Sequence, residues 1–257
     1  MLFAIGGAPD AGVIAPSFRP MQGSHLNIPA ALPLHLLHRN LLGTLATRMR
    51  APEGYPFPTV VPYALDARHR PVILVSGLAE HTRNLDDDPC AGFLVVDGLG
   101  TGAKAPGEVL EAARATLVGR FERVDDDSYL RARYLRYHPD AARYVALGDF
   151  SFRALASERI RYIGGFGRMG WVEATALDPL APLSFDEEQA LWACADALPS
   201  RRADLALLGV DRHGADWRCG GRLLRTPFDA PQASGAALEA ALQNVAVTNF
   251  HAFDADR

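Results

Sequence analysis

Apolar and polar positions change their period several times along the chain. Residues 33–43 (PLHLLHRNLLG) place Leu34, Leu37, Leu41 and Leu42 at helical spacing, with Gly43 as a stop. Short apolar or alternating runs follow. TLATRM (44–49) and PTVVPYA (58–64) read as strands around the Pro- and Gly-rich loop APEGYPFP. VILVSGL (72–78) and AGFLVVDGLG (91–100) are strands of buried type, with a helix or turn at 79–88 between them. EAARATLVGRFERV (111–124) reads as a long strand. Five short strands with little helix between them predict a barrel or sandwich.

The period then becomes helical. Asp125, Asp126, Asp127 and Ser128 offer caps, and Leu130, Tyr134 and Tyr137 make one helix face. Pro139 opens a second helix, DAARYVALGD. Residues 151–174 return to strand. DPLAPLS (178–184) reads as a linker. Ser184 and Glu187 form a capping box for FDEEQALWACADAL. DLALLGVD (204–211), the turn RHGAD and WRCGGRLLRTPF (217–228) read as a hairpin, and SGAALEAALQNVAV (234–247) as a closing helix.

Composition narrows the function classes. The 257 residues are 49% hydrophobic and 22% charged, ordinary values for a globular chain with its own core. The net charge of −4 argues against a nucleic-acid partner. No apolar run approaches the length of a membrane span. Three separated cysteines, Cys90, Cys194 and Cys219, give no disulfide framework or metal clip, so a cytoplasmic setting is expected.

Ser76–Leu85 carries the most chemistry. Ser76, His81, Thr82, Arg83 and Asn84 stand at a strand end and the following turn, where hydroxyls, an amide, a cation and free backbone N–H groups can hold a phosphate. A capped helix explains the same residues. His35 and His38 lie at a metal-compatible spacing, but no acid or cysteine nearby in sequence completes a set, and no metal site is expected. Asp86–Asp88 and Asp125–Asp127 lack the calcium-loop pattern. IGGFGRMG is not a dinucleotide fingerprint.

GTLATRM (43–49), YPFPTVVPYALD (55–66), VSGLAEHTRNL (75–85) and ATLVGRFERV (115–124) together resemble the FMN-binding split-barrel family related to pyridoxamine 5′-phosphate oxidase. The run from Arg131 to Val172, with its HP…Y…DF stretch before GGFG, is similar to the haem-utilisation branch. The resemblance implies an α+β fold: a split β-barrel at 33–177 after an arm at 1–32, with a small C-terminal α+β domain at 184–257. It implies a homodimer with FMN in a groove at the subunit interface, and a flavin-dependent oxidoreductase of unknown substrate.

Carried over by position, the flavin contacts would be Thr47, Thr59, Val60 and Val61 on the first strands, and Ser76, Leu78, His81, Thr82 and Asn84 in the phosphate segment. Arg83 is added on charge, with Arg48 and Arg50 as alternatives. The Arg-x-His substrate motif of the B6 oxidases has no counterpart here, nor does the His-Met-Asn…Asp-His stretch of the haem branch. Haem on the same barrel is the alternative cofactor, with His138 and His251 as candidate donors.

Overall fold

In the computed structural model the described residues are 27–98, 110–165, 168–197 and 205–252, with side chains as far as residue 245. The N-terminal arm up to residue 26, Gly167 and the side chain of His251 lie outside them.

The chain opens with helix α1 (Ala31–His38), whose Leu34, Leu36 and Leu37 are fully buried. Strands β1 (Leu42–Arg48), β2 (Pro56–Pro62), β3 (Ala64–Leu65) and β4 (Pro71–Ser76) follow. Helix α2 (Glu80–Asp87) leads to β5 (Cys90–Val96) and β6 (Arg114–Arg123). Helix α3 (Ser128–Tyr137) and a short turn of helix, α4 (Ala142–Val145), precede β7 (Phe150–Ile163) and β8 (Met169–Glu173). The eight strands form one antiparallel sheet in the order β2-β1-β5-β6-β7-β4-β3, with β8 pairing β7. This curled sheet is the split barrel of the pyridoxamine-phosphate-oxidase-like fold, and the chain is α+β.

Alternation builds the barrel wall. In β1, Gly43, Leu45 and Thr47 turn inward while their neighbours are more exposed, as a period of two requires. Gly43 is needed where it stands, because a Cβ there would meet Phe93 Cζ at 2.2 Å. Phe93 packs edge-to-face on Tyr63 and on Phe121, with centroids 5.2 and 5.7 Å apart. Tyr63 donates its hydroxyl to the Leu37 carbonyl at 2.6 Å, tying α1 to this aromatic core.

Helix α5 (Phe185–Asp196) begins with the capping box expected from Ser184 and Glu187. Strands β9 (Leu205–Asp211), β10 (Gly214–Cys219) and β11 (Arg222–Pro227) make a separate antiparallel sheet, and helix α6 (Gly235–Ala252) follows. Leu191, Leu207, Trp217, Leu238 and Leu242 fill a second core between these helices and strands. A third apolar cluster joins the two sheets: Tyr134 and Tyr137 of α3 pack with Val72 and Phe152 of the barrel and with Leu208 of β9.

Several boundaries differ from the sequence pattern. Residues 217–228 are two strands rather than one, because Gly220 and Gly221 both adopt positive φ (52° and 85°) and turn the chain. The run 151–174 is a hairpin, β7 and β8. The helix predicted at DAARYVALGD shrinks to single turns. Helix α1 stops at His38, so that Leu42 already belongs to β1.

Candidate functional site

The residues singled out for FMN fall into two groups. Thr47, Thr82 and Asn84 are buried where α2 packs on β1, and Asn84 Nδ2 donates to Thr47 Oγ1 at 3.0 Å. Thr82 Oγ1 and Asn84 Oδ1 have no protein partner. Thr59 and Val61 face inward from β2, and Val60 faces out. The remaining residues of the segment stand at the surface. Ser76 Oγ donates to Asp149 Oδ2 at 2.8 Å, Leu78 is 75% exposed, and Arg83 lies 3.8 Å from Glu80. Arg50 approaches Glu80 at 4.0 Å, and Arg48 lies near Glu53 and Asp88.

Any anion arriving here, a phosphate or a carboxylate, would share Arg50 and Arg83 with Glu80.

The densest chemistry lies elsewhere, at the seam between barrel and C-terminal sheet. His38, at the end of α1, is buried. Its Nδ1 is 2.8 Å from Asp216 Oδ2, and its Nε2 is 2.9 Å from His69 Nδ1. His69, in the β3–β4 turn, places its Nε2 2.9 Å from Asp178 Oδ2. His213, in the β9–β10 turn, has its Nε2 3.0 Å from Asp178 Oδ1. Arg225 of β11 donates to Asp211 at 2.7 and 2.9 Å and to Asp216 at 3.0 Å. Tyr137 donates to Asp216 at 2.7 Å.

Burial raises the Asp211 and Asp216 carboxyls, but the Arg225 guanidinium and His38 outweigh it and hold both below the usual range. Of these groups only His38 and Tyr137 stand in a recognisable sequence pattern, because the neighbours of the others carry no motif. The string Asp211-Arg-His213-Gly-Ala-Asp216 was the available signal.

His35 shares this seam and accepts from Arg225 Nε at 3.3 Å. Burial, then the charge of Arg225, lowers its pKa from 6.5 to about 4. The unfolded chain therefore takes up this proton first as the pH falls. Stability is fully present above 6.5 and is lost as the pH drops toward 4. Denaturant unfolding at several pH values should show this slope, and His35→Gln should flatten it.

The other described histidines differ in commitment. His138 Nε2–H donates to the Tyr63 carbonyl at 2.7 Å, so its role is to fix α3 on the barrel. His81, on α2, is half-buried and has no hydrogen-bond partner among the described residues. Burial, then Arg153, lowers its pKa, which keeps the imidazole neutral. Exposed Leu78 and Leu147 sit on two loops tied by the Gly77 N–H to Asp149 carbonyl bond at 2.9 Å.

Comparison with known proteins places this arrangement. A family model described as "CREG, beta-barrel" matches residues 29–177. The chain belongs to the CREG beta-barrel family. The match spans α1 to the segment after β8 and so contains His38, His69 and His81, but it stops one residue short of Asp178.

A relative from Arabidopsis thaliana, named non-canonical heme oxygenase HOZ, chloroplastic, is 35% identical over 132 residues. That alignment covers 51% of this chain and only 38% of the relative. A solved heme binding protein from Mycobacterium smegmatis is 30% identical, covering 93% of this chain and all of that one, with a TM-score of 0.52. Atu2129 from Agrobacterium tumefaciens, a protein of unknown function, shares the fold at 21% identity and a TM-score of 0.65, covering 90% of this chain and 98% of its own. Among the described residues of this family member, no helix is long and apolar enough to cross a membrane.

Haem needs an apolar face, cations for its two carboxylates and a neutral imidazole or comparable donor for iron. The surface around α2 offers Leu78 and Leu147, the half-exposed Arg50 and Arg83, and the uncommitted imidazole of His81. These residues fit haem.

Proposed function

We propose that this chain is a haem-binding protein, with His81 as the axial donor and Arg50 and Arg83 toward the haem carboxylates. One observation carries the reading: among the described histidines, only His81 presents a neutral, unpartnered imidazole at the surface. The haem-binding relative that aligns over 93% of this chain, and the heme oxygenase that aligns over half of it, support it.

Bound haem would supply iron redox chemistry. The chain would supply the ligand, the cationic clamp and the apolar rim. The activity in the Arabidopsis relative's name, haem oxygenation, is the reaction this reading puts first. The homodimer implied by the barrel resemblance belongs to the same proposal, and light scattering of the haem-loaded chain measures it.

Titration with haemin tests the ligand. His81→Ala should weaken binding more than tenfold, equivalent to about 1.4 kcal/mol, and should shift the intense near-ultraviolet band. An unchanged band and affinity would remove His81, and loss on His251→Ala instead would transfer the role. Flavin remains the rival reading. Paired flavin bands in the purified protein, with no haem uptake, would overturn the haem assignment.

A further inference from the structure

We propose that His69, Asp178 and His213 form a binding site for a divalent first-row transition ion, clamped at the seam between the barrel and the C-terminal sheet. The first support is geometric. One ligand atom from each of the three residues lies within 4.8 Å of the others. The two imidazole-to-carboxylate separations are 2.9 and 3.0 Å, to the two different oxygens of Asp178. Metal–ligand bonds of about 2.0–2.2 Å set neighbouring donor atoms roughly 3 Å apart. Yet His213 Nε2 makes no hydrogen bond to that oxygen, although it is buried and close. That leaves a buried ring nitrogen without a hydrogen-bond partner beside the Asp178 carboxylate.

The second support is the orientation of His69. Its Nδ1 lies 2.9 Å from His38 Nε2, and His38 Nδ1 lies 2.8 Å from Asp216 Oδ2. With an ion at His69 Nε2, His69 Nδ1–H donates to His38 and His38 Nδ1–H donates to Asp216, so His69 has the orienting partner that metal-bound histidines use.

The third support is charge. Arg225 offsets Asp211 and Asp216, whereas Asp178 has only His69 and His213 as ionisable partners among the described residues. A divalent cation supplies the full positive charge that this carboxylate lacks.

The backbone agrees. His69 is the one described non-glycine residue with positive φ, at 60°. Such conformations are kept where the surroundings demand a particular side-chain placement. Two imidazoles and one carboxylate suit zinc, iron or manganese rather than calcium or magnesium. Three protein ligands leave a fourth position open.

Zinc titration of the purified full chain tests the site, read by thermal melting and by competition with a chromophoric chelator. Haem iron is counted separately by its own band. The expected result is one zinc per chain and a zinc-dependent rise in Tm. Cobalt in place of zinc should give visible ligand-field bands. His213→Ala and Asp178→Asn should abolish both signals. Asp216→Asn should keep one zinc per chain but weaken its binding about 10–100-fold, because it disturbs only the His38 partner. Asp178→Asn keeps the side chain's shape, so it decides the matter if His213→Ala does not fold. The proposal is overturned if the unaltered chain shows neither the Tm rise nor the cobalt bands, or if zinc binds Asp178→Asn as tightly as the unaltered chain.

Discussion

Arg225→Met lowers the unfolding free energy by about 3–5 kcal/mol. The guanidinium has no exposed side-chain surface and is the counter-charge of two buried carboxylates, Asp211 and Asp216. Methionine fills similar volume, so packing is largely kept and the loss reports charge. Desolvation in this seam was tolerable only because four N–H groups of one planar fork meet oxygens and a ring nitrogen already in place. Without the cation both carboxyls are pushed up by burial. The penalty therefore shrinks as the pH falls, because the variant's raised carboxyls take up protons before those of the unaltered chain, which Arg225 holds down. Urea unfolding at pH 7 and pH 4 measures both parts. A loss below about 1 kcal/mol at pH 7, the range of exposed pairs, would contradict it.

Glu188→Ala has an effect of the same size, about 3–5 kcal/mol, through a separate network. Glu188 of α5 is fully buried. It accepts from Arg133 Nη1 at 2.7 Å, from Arg136 Nη2 at 3.0 Å and from the Tyr129 hydroxyl. Arg133 is itself buried and also donates to the Leu65 carbonyl at 2.7 Å. Arg136 lies over the Trp192 ring at 3.9 Å, so part of its contact survives. Alanine strands the Arg133 charge between barrel and C-terminal helices. Burial holds the Tyr129 hydroxyl up at about 12, so it cannot take over as an anion at neutral pH.

The paired exchange Glu188→Leu with Arg133→Met should recover most of the loss, because it removes both charges together. A double-mutant cycle read by denaturant unfolding isolates the coupling. Additive single losses would show that the pair does not interact.

Much of the barrel was legible in the residues. Alternation in GTLATRM and ATLVGRFERV marked β1 and β6, and the Ser184–Glu187 box marked the start of α5, because those signals are local. The Gly220–Gly221 turn was missed. Its glycines lie inside an otherwise strand-like run, and only the pairing of β10 with β11 shows that the chain reverses there. The predicted phosphate segment was also read on local grounds. Asn84 bonds Thr47 of β1, since α2 packs on that strand, and Thr82 is buried as well.

Sequence alone determined the class of fold and the family, since hydrophobic period and short motifs are properties of neighbouring residues. Only the tertiary structure decided which polar groups meet. His38, His69, Asp178, His213 and Asp216 converge from α1, two turns, the segment after β8 and β10. Chain packing, acting over as many as 178 residues of separation, brings them together. The reason is physical: burial makes an unpartnered charge costly. Partners are therefore selected by where the folded chain excludes water, and no spacing along the sequence records that place.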